Sequence, residues 1–145
     1  MKFMEKKIFI KNEEETKQFG YELASKLQRG QVVALIGDLG TGKTALTKYI
    51  AEGLGIDDNI TSPTFTIVQE YKQGRIPLYH FDVYRVYDID ELYEIGIEEY
   101  FYGDGVCVVE WADLIEEILP ENTIKVYIEY GETEGERIYN VYFGD

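Results

Sequence analysis

The stretch QVVALIGDLGTGKTALTKYI, Gln31–Ile50, decides how the rest of the chain is read. Its opening, QVVALIG, is a continuous apolar run, the pattern of a strand buried on both faces of a parallel sheet. A helix is expected from about Lys43 to Leu54. Between them, Gly37-Asp38-Leu39-Gly40-Thr41-Gly42-Lys43-Thr44 fits G-x-x-x-x-G-K-[ST] at every fixed position, in the strand–loop–helix context that this pattern requires. Glycines permit backbone turns that a side chain would block. The loop N–H groups and the positive end of the helix then face a phosphate chain. Lys43 is expected to reach the β and γ phosphates and the Thr44 hydroxyl to ligate Mg²⁺. The nucleotide-binding candidates are therefore Asp38, Leu39, Gly40, Thr41, Gly42, Lys43, Thr44 and Ala45. A carboxylate beside phosphates is electrostatically awkward, so Asp38 is expected to point away or to cap backbone groups.

Working outward, KKIFI (Lys6–Ile10) reads as a short strand. Asn12 with Glu15 three residues on gives a capping-box-like helix start, and Glu13, Glu14 and Glu15 suit the positive helix end. Phe19, Leu23 and Leu27 recur at helical spacing until Arg29-Gly30. Downstream, TFTIVQEYKQG and RIPLYHFDVYR read as two strands of a hairpin turning at Gln73-Gly74. DIDELYEIGIEEYF (Asp88–Phe101) reads as helix interrupted at Gly96, GVCVVEW (Gly105–Trp111) as a second buried strand, and ADLIEEIL as a short helix ended by Pro120. NTIKVYIEYG and the segment from Arg137 form a closing hairpin. The expected fold is α/β: a P-loop NTPase-like three-layer sandwich on a mixed sheet, parallel at the nucleotide site with antiparallel hairpins beside it. At 145 residues, one domain spanning 1–145 is expected.

A formal net charge of −14 repels a polyanion, which argues against autonomous binding to RNA or DNA. The single Cys, Cys107, sits in the apolar run VCVV and reads as a small buried hydrophobe. One cysteine allows no disulfide within the chain, as suits a reducing cytoplasm. MKFMEKKIFI is charged throughout, so neither a signal peptide nor a membrane span is expected there. The 13 Tyr fall largely in the strands, where packing with the hydroxyl in water is the simplest role.

Nucleotide sites of this kind place an acid at the end of a neighbouring buried strand. VCVVE supplies Glu110, to hold Mg²⁺ directly or through water, or to act on the attacking water. Trp111, the only Trp, follows it and is either core or part of a partner or nucleotide surface. No [NT]-K-x-D element lies downstream, which favours ATP over GTP. Only Arg29, Arg75, Arg85 and Arg137 are available as arginines, too few for a typical small-molecule kinase lid. In TSPTF, Thr64 follows a Ser-Pro turn that resembles a loop able to move with a γ-phosphate. Alternation in HFDVYR puts His80, Asp82 and Tyr84 on one face and Phe81, Val83 and Arg85 on the other. His80 and Asp82 form either a structural pair, or Asp82 orients water at the γ-phosphate; Arg85 suits a salt bridge better than a phosphate sensor.

GDLGTGKT, SPTF, HFDVYR and VVEW, in this order, together with the opening helix and ELYEIGIEEYF, make the chain similar to the TsaE (YjeE) family over nearly its whole length. Thr41 and Ala45 stand where Ala and Thr are more often expected, and both positions tolerate small residues. The resemblance implies a cytoplasmic ATPase of tRNA threonylcarbamoyladenosine synthesis. It would dock on the TsaB–TsaD pair, which transfers the threonylcarbamoyl group, and use ATP to reset that assembly, meeting tRNA only through the complex. It implies Lys43, Asp82 and Glu110 as catalytic residues, Thr44 and Glu110 as metal residues, and Thr64 and Trp111 as switch or partner-facing residues. Two other readings of the site remain open: a kinase, and a nucleotide-sensing scaffold that barely turns ATP over.

Overall fold

A computed structural model describes residues 4–63 and 66–144. Among these residues, seven strands form one sheet in the order β1-β7-β6-β2-β5-β4-β3. The strands are β1 (Met4–Ile10), β2 (Val32–Gly37), β3 (Val68–Tyr71), β4 (Leu78–Asp82), β5 (Val106–Glu110), β6 (Ile124–Tyr130) and β7 (Arg137–Phe143). The inner four, β6-β2-β5-β4, run parallel, while β1, β7 and β3 pair antiparallel at the edges. This is the mixed α/β sheet expected from the sequence.

Among the described residues, four helices cover the sheet: α1 (Glu13–Lys26), α2 (Lys43–Gly53), α3 (Ile89–Glu94) and α4 (Ile97–Phe101), with a 3₁₀ segment at Ala112–Ile118. The period of two along each strand sorts their side chains into two cores. Val33, Leu35, Leu78, Val106, Val108, Val126 and Val141 pack under α1 and α2. Val32, Ala34, Phe81, Cys107 and Val109 pack under α3, α4 and the 3₁₀ segment. On the face of β6 and β7 opposite α1 and α2, Lys125, Tyr127, Asn140 and Tyr142 line an open groove of about 580 Å³, bordered by Glu116 of the 3₁₀ segment.

The Asn12 carboxamide accepts from the Glu15 N–H at 3.0 Å. The Glu15 carboxylate reaches back one residue further than expected, to the Lys11 N–H at 2.8 Å. Gly20 and Gly53 are close-approach points of the two long helices: a Cβ at Gly20 would lie 2.7 Å from Tyr49 Cβ, and one at Gly53 2.6 Å from Ala24 Cβ. Gly96, at φ 81°, divides α3 from α4 where the sequence places a break.

Two expected elements are shorter than the sequence suggests. β4 ends at Asp82 and β3 begins only at Val68. Asp82 ends its strand because its own carboxylate accepts the Tyr84 N–H at 3.0 Å, a local turn that replaces ladder pairing. Before Val68, Ile67 adopts φ 69° and the Val68 N–H bonds the Thr66 carbonyl at 2.7 Å. That is a three-residue turn of the rare, strained hand, and an unusual conformation for a β-branched residue.

Candidate functional site

The C-terminal ends of β2, β4 and β5 lie side by side, because Leu35 and Asp82 both register with Glu110. In open α/β sheets this edge is where ligands bind. A cleft of about 340 Å³ opens there, lined by Leu39, Gly40, Gly42, Lys43, Thr44, Ala45, Ser62, Asp82, Glu110 and Trp111. Tertiary folding therefore gathers residues from all four sequence motifs around one cavity.

The loop between β2 and α2 is held by its own backbone. The Asp38 carbonyl accepts from the Thr41 N–H at 3.2 Å and from the Thr41 hydroxyl at 2.8 Å. Asp38 itself is exposed. Gly42 sits at φ 101°, a left-handed conformation that disfavours any Cβ, and a Cβ built there meets no atom within 4 Å. The loop is thus wrapped around open space at the start of a helix, where N–H groups lack intrahelical partners.

Lys43 is largely buried and folded back onto the loop. Its ammonium donates to the Gly37 carbonyl at 2.6 Å and the Asp38 carbonyl at 2.9 Å, and lies 4.0 Å from the Trp111 ring centroid. Burial lowers its pKa, opposed in part by the negative charges of Glu110, Asp82, Asp113 and Asp38. Trp111 has φ 64° and stacks on Tyr84 with centroids 4.5 Å apart. It is half-buried against the second core, so it belongs to both the packing and the cleft wall.

Glu110 is 3% exposed, buried rather than solvated as a strand-end carboxylate would be. The Thr44 hydroxyl lies 3.0 Å from each of its carboxylate oxygens. His80 Nε2 lies 2.5 Å from Glu110 Oε2. His80 therefore pairs with Glu110, two strand positions along the adjacent β5, and not with Asp82. Asp82 is held instead by the Ser62 hydroxyl at 2.6 Å and the Tyr84 N–H. Tyr84 lies beyond the end of the strand, so the expected alternation holds only as far as Asp82.

Thr64 lies outside the described residues. Arg85 makes no salt bridge among the described residues; it lines a neighbouring cleft with Ile67, Tyr84, Glu91 and Trp111. The other three arginines donate to backbone carbonyls: Arg29 to Asp104, Arg75 to Ala24 and Arg137 to Thr41.

Sequence reasoning missed the contribution of the closing hairpin. The Tyr130 hydroxyl donates to the Leu39 carbonyl at 2.8 Å, and Arg137 Nε donates to the Thr41 carbonyl at 2.9 Å. Arg137 also lies 4.8 Å from the Tyr130 ring centroid. Facing residues at the β6–β7 turn thus pin two loop carbonyls, which helps keep the loop in one conformation. No local pattern signals this, because the Arg137 partner lies 96 positions earlier in the chain.

Among the described residues, no cluster of three or more His, Cys, Asp or Glu is arranged to hold a metal. The hydroxyl–carboxylate pair of Thr44 and Glu110 suits a hard cation that shares its coordination with phosphates and water. No helix among the described residues is long and apolar enough to cross a membrane.

The family described as "Threonylcarbamoyl adenosine biosynthesis protein TsaE" matches residues 10–139. The tRNA threonylcarbamoyladenosine biosynthesis protein TsaE of Bacillus subtilis is 53% identical over 117 residues, 81% of this chain and 73% of that protein. The TsaE protein of Treponema pallidum is 44% identical over 113 residues, 78% of this chain and 83% of that one. A crystal structure of Bacillus subtilis YdiB superposes with a TM-score of 0.82 at 42% identity, covering 100% of this chain and 89% of the other. With the family matched over residues 10–139 and relatives this similar over most of the chain, the chain belongs to the TsaE family.

Proposed function

We propose that this protein is a cytoplasmic, Mg²⁺-dependent ATPase of tRNA threonylcarbamoyladenosine synthesis, which docks on the TsaB–TsaD complex and uses ATP to reset it between turnovers. The observation that carries the reading is the Thr44–Glu110 contact at the mouth of the Gly37–Thr44 loop. It places a hydroxyl, a buried carboxylate and a lysine around space shaped by glycine, and this in a TsaE family member.

Thr44 and Glu110 are the residues that would hold Mg²⁺, which when bound offsets charge on the β and γ phosphates. Lys43 would exchange its two loop carbonyls for phosphate oxygens, so its present contacts keep the ammonium satisfied without ligand. Asp82, fixed by Ser62 and by the Tyr84 N–H, is aimed into the cleft where a water near the terminal phosphate would be oriented. The net charge of −14 supports protein partners over direct contact with tRNA. The kinase alternative is disfavoured because three of the four arginines are tied to backbone carbonyls, leaving Arg85 alone beside the cleft.

The test is phosphate release with ATP and Mg²⁺, for the protein alone and with purified TsaB and TsaD, with Lys43→Ala as the blank. A low basal rate that rises with the partners and vanishes in Lys43→Ala is expected. Robust hydrolysis unaffected by TsaB and TsaD, or an unchanged rate in Lys43→Ala, overturns the proposal. An Asp82→Asn variant that supports repeated turnover normally would favour a scaffold that senses nucleotide without needing hydrolysis.

A further inference from the structure

His80 is fully buried on β4 and is the only histidine in the chain. As core packing it is a poor choice. Among the described residues its Nδ1 is buried without a hydrogen-bond partner, and leaving a buried polar atom unsatisfied is destabilising. Among the described residues, the one polar contact of the His80 ring is to Glu110 Oε2, through Nε2 at 2.5 Å. Against an ionised Glu110, which only accepts, the Nε2–H is the donor of this pair.

Its direction matters. Leu78, His80, Val106 and Val108 alternate onto the α2 side of the sheet, so His80 approaches Glu110 from within the core. Thr44, at the first turn of α2, meets the same carboxylate from the cleft side. Glu110 is thereby held between two donors. The Thr44 O–H must point at the acceptor-only carboxylate, which leaves the hydroxyl lone pairs available to a cation. Without His80, the carboxyl group has rotatable bonds and only one anchor.

We infer that His80 is a positioning residue for the metal: its Nε2–H sets the Glu110 carboxylate, and through it the Thr44 hydroxyl, in the orientation that receives Mg²⁺ with a bound nucleotide. The inference rests on the nucleotide-site reading above. Groups that orient metal ligands from behind change metal affinity by about 10–100-fold when removed.

The experiment titrates Mg²⁺ into protein with a fixed, sub-saturating concentration of ADP, read by the fluorescence of Trp111, the only Trp. ADP affinity in excess EDTA and the melting temperature without ligand are measured alongside. His80→Gln places an amide N–H near the Nε2 position, whereas His80→Asn is polar but too short to reach Glu110. Half-saturating Mg²⁺ is expected to rise about tenfold or more in His80→Asn and to stay within about threefold of wild type in His80→Gln. ADP affinity in EDTA should stay the same in both. His80→Leu, which fills the space without a donor, should behave as His80→Asn. If His80→Leu does not fold, the Gln–Asn pair decides the matter. Equal Mg²⁺ dependence in the Gln and Asn variants overturns the inference. Calorimetry of ADP binding to Lys43→Ala separates the two readings. Unchanged ADP affinity in that variant refutes the nucleotide site itself and the role of His80 with it. Lost affinity there, with a wild-type Mg²⁺ response in His80→Asn, overturns the role of His80 alone.

Discussion

Gly42→Ala and Gly20→Ala make a matched pair whose outcomes the structure separates. At Gly42 the added methyl meets nothing within 4 Å, so the penalty is conformational: φ is 101°. Left-handed backbone costs an L-residue about 1–2 kcal/mol. Restricting the unfolded chain returns about 0.4–1 kcal/mol. The net loss is about 1 kcal/mol, or roughly 2–4 °C in melting temperature for a chain of this size. At Gly20 the methyl would lie 2.7 Å from Tyr49 Cβ and 3.2 Å from the Ile50 nitrogen, so α1 and α2 must move apart. Overpacking of that kind costs about 1–3 kcal/mol, offset by the roughly 1 kcal/mol that Ala gains over Gly in a helix. The two variants should therefore lose similar, modest stability. They should differ sharply in ADP binding, because the open space beside Gly42 is where the proposed phosphates lie, whereas Gly20 is at the helix crossing. Thermal melts and calorimetry with ADP test both halves. Wild-type ADP affinity in Gly42→Ala would refute the cradle. A stability loss above about 3 kcal/mol in the same variant would show a clash that the geometry does not contain.

Three further outcomes are expected. Trp111→Leu removes the ring beside the Lys43 ammonium and the stack with Tyr84; a ligand-free melt should show a loss of about 1–3 kcal/mol, and an unchanged melt would mean that neither contact matters. Arg137→Ala frees the Thr41 carbonyl; a share of about 1 kcal/mol in loop ordering gives roughly fivefold weaker ADP binding, measurable by calorimetry. Stability should also fall in alkali. Burial pushes the Cys107 thiol up from 9.0 to about 12. The hydrogen bond to Glu13 pushes Tyr49 up from 10.0 to about 12, and burial does the same for Tyr79. These folded values lie above the unfolded ones, so the native state keeps protons that the unfolded chain releases. Their contribution is complete below about pH 9 and is lost as pH rises toward 12. The melting temperature should decline across that window, less steeply in Cys107→Val between pH 9 and 10, and an identical slope would count against the buried thiol.

Features that depend on neighbouring residues are legible in the unfolded chain. Val32–Gly37 reads as a buried strand because its apolar run has no polar face. The Gly37–Thr44 loop reads as a phosphate cradle because glycine spacing governs backbone freedom locally. Gly96 divides two helices for the same local reason, and Asn12 caps α1 through a partner only three residues away. The local reading overran where a side chain intervened: Asp82 ends β4 by bonding its own downstream backbone, so the motif that looks like a continuous strand turns at its acid.

Tertiary structure alone decided which distant groups meet. His80 adjoins Asp82 in the motif yet bonds Glu110, because strand pairing put β5 beside β4 and the period of two turned both side chains toward α2. Arg137 was one of four scattered arginines until the closing hairpin carried it to the Thr41 carbonyl. Trp111 could have been core or cleft, and the left-handed turn after β5 made it both. In each case the deciding quantity is register between segments far apart in the chain. It is fixed by the cooperative burial of whole strand faces, and no single stretch of residues contains it.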